Sequence, residues 1–355
     1  MTGLIEHGFW RSLLGVLAAL GIACSSAVCA QPPATAGRPA RVATAMQDLL
    51  DYARSQNTTG FLIVRHGQTL VERNWPAPAN DRTFLSFAYE RNADGALLED
   101  VASQQKSFVA VLLAIAQDKR LIDVSKPVSH YLGAGWSKAA PAQERGITVL
   151  HVLTMSSGLD ERFAFAAPAG STFFYNTPVY ATTKRILTAA VKRSLDDLTR
   201  DWLTDPLGMR DTGWRQRPSA LADVGNATGL VTSPRDIARF GAMILHRGLG
   251  PDGRRIVSEQ AIRAMLEPSA TNPAYGRLWW LNGSAFTARA GGGRKAGPLI
   301  ATAPPDTVAA LGALDRRLYI VPSLDLVVVR TGSAAPDKDL DDQLWSRLIK
   351  LPSLQ

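Results

Sequence analysis

A serine and a lysine three residues apart stand at the start of the most apolar stretch of this 355-residue chain. Ser103 and Lys106 belong to the segment Val101–Ala116, which reads VASQQKSFVAVLLAIA. On a helix this spacing puts both side chains on one face, within reach of each other. Burial disfavours a charged amine and lowers its pKa, and a neutral amine can remove the proton from a serine hydroxyl. The pair therefore predicts a serine nucleophile with a lysine base.

The apolar run that follows Lys106 separates this pair from the many S-x-x-K patterns that occur in solvated surface turns. From Lys106 onward the segment has helix length and is almost unbroken in its apolar character. A helix that is apolar on every side is typical of the middle of a large domain. We therefore expect the lysine to be buried, and the rest of the chain to supply its partners.

The two ends of the chain are rich in predicted strands, and the middle is rich in predicted helices. Strand patterns form two hairpins, at 61–65 with 69–73 and at 316–321 with 326–330. Isolated hairpins are not stable, so the two should pair in one antiparallel sheet. Amphipathic periodicity predicts helices near both termini, within 42–53 and 340–349. The Gly- and Pro-rich stretch 287–306 is expected to be a long surface loop.

These elements predict an α+β fold with an antiparallel sheet, terminal helices packed on it, and an inserted all-helical domain. The sheet domain would comprise residues 41–102 and 276–355, and the mainly helical domain residues 103–275. The predicted active site lies between the two domains, where Ser103 begins the central helix.

The first thirty residues have the pattern of a secretory signal peptide. Leu13–Ala23 is an apolar run that follows Arg11, and Val28–Ala30 offers small residues for cleavage before Gln31. Export to the periplasm or secretion is expected, with no stable membrane insertion after cleavage. Residues 31–40 would be a linker. Both cysteines fall before the cleavage point, and a lipoprotein anchored through Cys24 is the minor alternative.

Several motifs together make the chain similar to the serine β-lactamase and penicillin-binding-protein superfamily, for which S-x-x-K is a known signature. The resemblance covers about residues 45–350, and its nearest branch resembles the class C-type esterases and 6-aminohexanoate-dimer hydrolases. The motifs beyond S-x-x-K are LTMSSGL at 153–159, YN at 175–176, PLGM at 206–209, SPRDIARFG at 233–241 and NPAYG at 272–276. The resemblance implies a β-lactamase-like fold and a hydrolase that forms an acyl-enzyme.

The resemblance assigns Tyr175 as the tyrosine that shares the catalytic proton with Lys106. A lysine ammonium nearby would depress the pKa of the phenol, so we expect a phenolate to be accessible. Asn176 is expected to orient the lysine or to bind a substrate carbonyl, although an asparagine in a loop is as often a turn former.

The third motif departs from the pattern of the superfamily, which places KTG or H-x-G on the strand beside the site. That strand position here reads Gly312, Ala313, Leu314 and Asp315, and it contains no cation. These four residues are predicted to bind substrate, with a backbone N–H near Asp315 completing an oxyanion hole with that of Ser103. Lys295-Ala296-Gly297 resembles the motif but precedes a Pro-rich stretch, so it is interpreted as a coincidence. Arg316 or Arg317 could replace the missing cation.

Competing chemistries find less support in the sequence. The five histidines include His151, which lies in an apolar helical run and is expected to be a core residue, and G-x-S-x-G is absent. No spacing suggests a metal site, and no cofactor is implied. The formal net charge of +8 is scattered without a run of Lys or Arg, so nucleic-acid binding is not expected.

The sequence therefore favours an exported serine hydrolase that acts on a small-molecule ester, amide or peptide-like substrate through an acyl-enzyme on Ser103. The alternative is a penicillin-binding or sensor-like protein of the same fold with little turnover, suggested by the missing cation of the third motif.

Overall fold

The computed structural model describes residues 38–222 and 225–354 of the chain. The predicted signal peptide and residues 31–37 of the predicted linker lie outside the described residues. The first helix begins at Arg38, so the last three residues assigned to the linker are helical. The twelve strands are β1 Thr58–Arg65, β2 Gln68–Asn74, β3 Ala88–Arg91, β4 Leu97–Asp100, β5 Gly213–Gln216, β6 Thr228–Thr232, β7 Trp280–Leu281, β8 Phe286–Ala288, β9 Arg294–Ala296, β10 Val308–Gly312, β11 Arg316–Val321 and β12 Leu326–Gly332.

Thirteen α-helices occur in the described residues, with 3₁₀ turns at Ala102–Gln104 and Pro322–Leu324 and a π-helical turn at Arg200–Thr204. The helices are α1 Arg38–Ser55, α2 Arg82–Leu85, α3 Gln105–Asp118, α4 Val128–Leu132, α5 Pro141–Arg145, α6 Val149–Leu153, α7 Thr177–Val191, α8 Leu195–Thr199, α9 Asp205–Leu207, α10 Ser219–Ala222, α11 Pro234–Leu245, α12 Glu259–Met265 and α13 Leu340–Leu348.

A six-stranded antiparallel sheet joins the two ends of the chain, as the sequence predicted. Its strand order is β2-β1-β12-β11-β10-β7, so the N-terminal hairpin pairs with the C-terminal one through β1 and β12. Ile63 stands opposite Val328 in this pairing. The hairpin turn at His66 and Gly67 has positive φ angles of 50° and 69°, the geometry that the twist of two-residue hairpins favours. The α+β prediction is confirmed.

The two faces of this sheet are covered by different helices. On β11, Tyr319 packs edge-on against Trp345 of the C-terminal helix α13, at 5.4 Å between ring centroids. The adjacent Leu318 faces α11, where a side chain at Gly241 would clash with it. Because neighbouring residues on a strand point to opposite faces, α13 and α11 lie on opposite sides of the sheet. The terminal helix α1 packs beside α13.

Two parts of segment 103–275, which was predicted to form the mainly helical domain, join the sheets instead. Helix α11 contacts β1, β11 and β12 of the large sheet, because Ile237, Phe240 and Ile244 make one apolar face and Gly241 permits a close approach. Strands β5 and β6 complete a second antiparallel sheet in the order β3-β4-β6-β5. The stretch 287–306 also differs from the predicted loop, since β8 and β9 form a hairpin around Gly291–Gly293.

Helix α3 lies in the interior, as expected from its all-round apolar character. Its residues from Gln105 to Ala116 are all buried, and Phe108 stacks on Phe240 of α11 at 3.8 Å between ring centroids. On other sides α3 contacts β10, α7 and α12. The start of α3 is therefore held between the sheet and the inserted helices, which is the place predicted for the site.

Candidate active site

Ser103 and Lys106 meet at the entrance to the buried helix. Ser103 lies in the 3₁₀ turn Ala102–Gln104 that leads into α3, and its side chain is partly exposed. Lys106 is 2% exposed. Its Nζ lies 2.9 Å from Ser103 Oγ and 3.2 Å from Thr177 Oγ1. The two side chains lie within reach of each other, as predicted, and they form a hydrogen bond at a residue that is partly exposed.

The environment of Lys106 favours the neutral amine. Burial, reinforced by the charge of Arg217, lowers the pKa of Lys106 from 10.5 to about 7. The aromatic rings of Tyr175 and Tyr180 lie 4.8 and 4.7 Å from its Nζ and offer no formal negative charge. Near neutral pH a large fraction of the amine is therefore unprotonated and can accept the proton of Ser103.

Tyr175 reaches the same site from the start of the inserted helix α7. Burial raises the pKa of Tyr175 to about 12 and outweighs a hydrogen bond with the Ser103 side chain, which lowers it. The expectation that a lysine ammonium depresses this pKa and gives a phenolate is contradicted, because the buried lysine is itself readily neutralised. Tyr175 is thus a proton donor at neutral pH, and Lys106 is the group that can act as a base.

Asn176 lies beside Tyr175 and is nearly fully buried. Its Oδ1 accepts a hydrogen bond from the backbone N–H of Val179, which caps α7, and its Nδ2 donates to the carbonyl of Leu159 at 2.9 Å. In this arrangement Asn176 fixes the start of α7 and the loop containing the Ser-Ser-Gly-Leu motif, so the residues that position Tyr175 and Thr177 are held together. A contact of Asn176 with substrate stays a prediction.

The strand predicted to replace the third motif does run beside Ser103. Gln104 Nε2 donates to the carbonyl of Ala310 at 3.2 Å, and an added side chain at Gly312 would come within 2.4 Å of the carbonyl oxygen of Val101. Only a glycine permits this close approach, so Gly312 sets the spacing between β10 and the nucleophile's turn. Ala313 follows directly in the turn to β11.

Leu314 and Asp315 form the far part of that turn, with positive φ angles of 58° and 59°. The Asp315 carboxylate accepts hydrogen bonds from the backbone of Ala335 and from Arg317, and its carbonyl accepts one from Arg330. These bonds anchor the turn to the C-terminal part of the sheet. Substrate binding by Gly312, Ala313, Leu314 and Asp315 stays a prediction, and of the four Gly312 is the one shown to lie against Val101 at the turn of Ser103.

The two arginines considered as replacements for the missing cation are both engaged in the interior. Arg316 is fully buried and pairs with the fully buried Glu99, with Nε 3.0 Å from Oε2, and its Nη1 donates to the Ala313 carbonyl. Arg317 pairs with Asp341 and Asp315. Neither guanidinium can therefore serve as a free anchor for a substrate carboxylate.

Further residues, whose places in the site the sequence analysis did not predict, complete the surroundings of the site. Thr177 contacts the lysine and could have been noticed as part of the short Y-N-T motif. Trp280 stacks on Tyr175 at 5.9 Å between ring centroids, and Phe173 and Tyr275 extend this aromatic cluster. The cluster comes from segments a hundred residues apart, so no local pattern in the sequence predicts it.

In the described residues, the structure does not support a catalytic role for His151, a third-motif role for Lys295 or a metal site. The backbone N–H of Thr148 donates to His151 Nδ1, so this ring helps to cap α6. Lys295 lies on the separate β8–β9 hairpin. Within residues 38–222 and 225–354 no group of three or more His, Cys, Asp or Glu side chains could hold a metal ion, and no helix in that part is long and apolar enough to cross a membrane.

Residues 42–339 match the model of the Beta-lactamase family, and the chain belongs to that family. Its sequence is 24% identical, over 373 aligned residues, to a 6-aminohexanoate-dimer hydrolase of Paenarthrobacter ureafaciens. That alignment covers 89% of this chain and 83% of the relative.

Solved structures have the same fold. A penicillin-binding protein homologue from Caulobacter crescentus superposes with a TM-score of 0.63 at 15% identity, covering 87% of this chain and 96% of the homologue. A class C β-lactamase mutant superposes with a TM-score of 0.62 at 16% identity, covering 88% of this chain and 96% of the mutant. Together with the family match, these results confirm the predicted membership of the β-lactamase-like superfamily of hydrolases.

Proposed function

We propose that the protein is a serine hydrolase that cleaves an ester or amide bond of a small molecule through an acyl-enzyme on Ser103. The observation that carries the proposal is the 2.9 Å contact between a partly exposed hydroxyl and a buried amine whose pKa is about 7. An amine that is partly neutral near pH 7, within hydrogen-bond distance of a hydroxyl, is the arrangement that a base-activated nucleophile requires.

In the first half of the reaction, Lys106 Nζ accepts the hydroxyl proton while Ser103 Oγ attacks the substrate carbonyl. The tetrahedral intermediate collapses when the Lys106 ammonium gives its proton to the leaving oxygen or nitrogen, either directly or through Tyr175, which donates its own proton and is reprotonated by the ammonium. Lys106 is then neutral again. In the second half, water attacks the acyl ester while Lys106 takes its proton, and Lys106 then returns that proton to Ser103 Oγ, which leaves as the hydroxyl. Thr177 holds the amine in place through both halves.

We expect neutral esters and small amides to be better substrates than β-lactams. A β-lactam contains a carboxylate that is best bound by a cation, and the third-motif position offers Gly312 and Ala313 instead. Arg316 and Arg317 are paired with carboxylates of the protein. The aromatic cluster around Trp280, beside Tyr175, favours an apolar substituent near the reacting carbonyl. The 6-aminohexanoate-dimer hydrolase among the relatives is consistent with an amide as substrate.

The alternative function is a penicillin-binding or sensor-like protein that is acylated but turns over slowly. Pre-steady-state hydrolysis of p-nitrophenyl butyrate separates the two functions. A hydrolase gives continued release of p-nitrophenol for many equivalents of enzyme, and the Ser103→Ala variant gives none above background. A single burst of one equivalent would favour the sensor function, and full turnover by Ser103→Ala would overturn both.

We also propose that the protein is exported to the periplasm or secreted, from the signal-peptide pattern of residues 1–30. Expression of the full chain followed by N-terminal sequencing of the recovered protein tests this. A new terminus at Gln31 in the extracytoplasmic fraction is expected, and a lipid-modified terminus at Cys24 would support the lipoprotein alternative. An uncleaved cytoplasmic protein would contradict export.

A further inference from the structure

A buried ion pair joins Arg217 to Asp100, which lies close in the chain to the proposed nucleophile Ser103. Asp100 is fully buried at the end of β4, three residues before Ser103, and Arg217 is 7% exposed. The two side chains make a bidentate contact, with Arg217 Nε 2.7 Å from Oδ2 and Nη2 2.9 Å from Oδ1 of Asp100. Arg217 is further held by the carbonyl of Asn226, to which its Nη1 donates at 3.2 Å. A planar guanidinium facing a carboxylate in this way fixes both groups strongly.

The same carboxylate also holds the backbone next to the nucleophile. Asp100 Oδ1 accepts a hydrogen bond of 2.8 Å from the backbone N–H of Ala102. Ala102 has a φ of 50°, in the left-handed region that a residue with a Cβ rarely adopts. Such a conformation persists only where the surroundings impose it. The bond from Asp100 is therefore part of what holds Ser103 at the turn into α3.

The neighbouring strand is shaped to admit this carboxylate. An added side chain at Gly229 of β6 would come within 1.9 Å of Asp100 Oδ2. Any larger residue at that position would displace Asp100 from Arg217. The position of the ion pair is thus set by three segments, namely β4, the residue after β5, and β6.

The positive charge of Arg217 also lowers the pKa of Lys106, after the larger effect of burial. The groups around the lysine are the hydroxyls of Ser103 and Thr177, the rings of Tyr175 and Tyr180, the charge of Arg217 and the titratable amine of Lys184. Lys184 is itself buried, with its pKa lowered to about 6, first by burial and then by Arg217. Asp100 is bound to Arg217 in this cluster; its negative charge partly offsets the lowering of the Lys184 pKa, and it is not among the groups that shift the pKa of Lys106.

We propose that Asp100 and Arg217 are positioning residues for the proposed Ser103 reaction, with Asp100 holding the strained turn at Ala102 and Arg217 holding Asp100 in place while adding a buried positive charge to the site's surroundings. This inference rests on the proposed function of Ser103. It predicts different effects for the two partners, because one acts on geometry and the other also on charge.

The test is the pH dependence of kcat/KM for p-nitrophenyl butyrate between pH 5 and 11. Arg217→Met removes a positive charge and leaves Asp100 unpaired, so Lys106 should hold its proton to higher pH. We expect the acid limb to move upward by about one pH unit or more, with a loss of about fivefold or more at pH 7 that is largely recovered at higher pH. Arg217→Lys keeps the charge and should leave the acid limb near that of the wild type.

Asp100→Asn should change the height of the pH profile of kcat/KM and not the position of its acid limb. It retains an oxygen for the Ala102 N–H but places an amide against the guanidinium, so the turn should loosen while Arg217 stays charged. We expect the plateau of kcat/KM to fall about tenfold or more without an upward move of the acid limb. This variant also keeps the proposal testable if Arg217→Met does not fold.

Glu144→Gln is the matched control, since Glu144 is a buried carboxylate that accepts backbone hydrogen bonds from Gly135 and Ser137, and it is not among the groups that shift the pKa of Lys106. It should lower Tm without moving the pH profile. An unmoved limb in Arg217→Met, or an unchanged plateau in Asp100→Asn, would overturn the proposal. Labelling by a fluorophosphonate that survives Ser103→Ala would instead show that the proposed function is wrong.

Discussion

Replacing Lys106 by methionine should abolish catalysis and yet stabilise the folded protein at neutral and acidic pH. The reason is the cost of burying an amine that is protonated in the unfolded chain. Its pKa is 10.5 in the unfolded reference and about 7 in the folded protein. A difference of about 3.5 pH units corresponds to about 5 kcal/mol between the protonation states. Methionine fills a similar volume and has no charge to desolvate.

The sign of the pH dependence follows from proton linkage. Between pH 7 and 10.5 the unfolded state binds a proton at Lys106 that the folded state has lost, so the free energy of unfolding rises with pH. The penalty is complete below about pH 7 and disappears above about pH 10.5. The stability difference between Lys106→Met and the wild type should therefore shrink by about 4 kcal/mol between pH 6 and pH 10.

The loss of two hydrogen bonds reduces the stability that the protein gains from Lys106→Met. The amine contacts Ser103 and Thr177, and losing each bond costs about 1 kcal/mol. We expect Lys106→Met to be more stable than the wild type by about 3 kcal/mol at pH 6, after these two bonds are subtracted. Near pH 10 the two proteins should be about equally stable, or the variant slightly less stable.

Urea unfolding of both proteins at pH 6, 8 and 10, followed by tryptophan fluorescence, measures these differences. Ser103→Ala keeps the buried amine and serves as the control, with a pH dependence that should follow the wild type. A stability difference for Lys106→Met that does not change with pH would refute the conclusion that Lys106 loses its proton near neutral pH in the folded state. A variant less stable than the wild type at pH 6 would refute the size of the desolvation cost.

Three further predictions concern the remaining site residues. Tyr175→Phe should lower kcat on p-nitrophenyl butyrate by about 10²-fold, the scale of a lost proton donor; an unchanged kcat would leave the whole proton transfer to Lys106. Asn176→Ala should lower the free energy of unfolding by about 1–2 kcal/mol through the lost helix cap, measured by urea unfolding; a raised KM at unchanged stability would instead support substrate binding. Nitrocefin should be hydrolysed about 10- to 100-fold more slowly than p-nitrophenyl butyrate, measured as kcat/KM; equal or faster turnover would contradict the argument from the missing cation.

Much of the site could be predicted because its members lie in short local patterns. The spacing of Ser103 and Lys106 and the apolar run behind them gave both the geometry and the burial of the amine. The two terminal hairpins likewise predicted the sheet, since each had to find a partner. The position of residues 312–315 beside the nucleophile was expected from the resemblance to the superfamily, whereas the close approach of Gly312 to Val101 was not predicted.

The parts that were missed depend on contacts between distant segments. The phenolate expected at Tyr175 is wrong because burial raises its pKa, and burial is a property of the packed aromatic cluster. Arg217 lies 117 positions from Asp100, and only the folded sheet β3-β4-β6-β5 brings them together. The placement of α11 on the large sheet also escaped, because an amphipathic helix shows which of its faces is apolar but not which surface will cover it.

The central claim is that Ser103 is the nucleophile and that Lys106 activates it. The most direct measurement is the mass of the intact protein after incubation with a fluorophosphonate at pH 8, followed by peptide mapping of the adduct. One phosphonyl group on Ser103 is predicted for the wild type, with no adduct in Ser103→Ala and a labelling rate reduced at least about 10²-fold in Lys106→Met. An adduct on another residue, or labelling of Lys106→Met at the wild-type rate, would contradict the account.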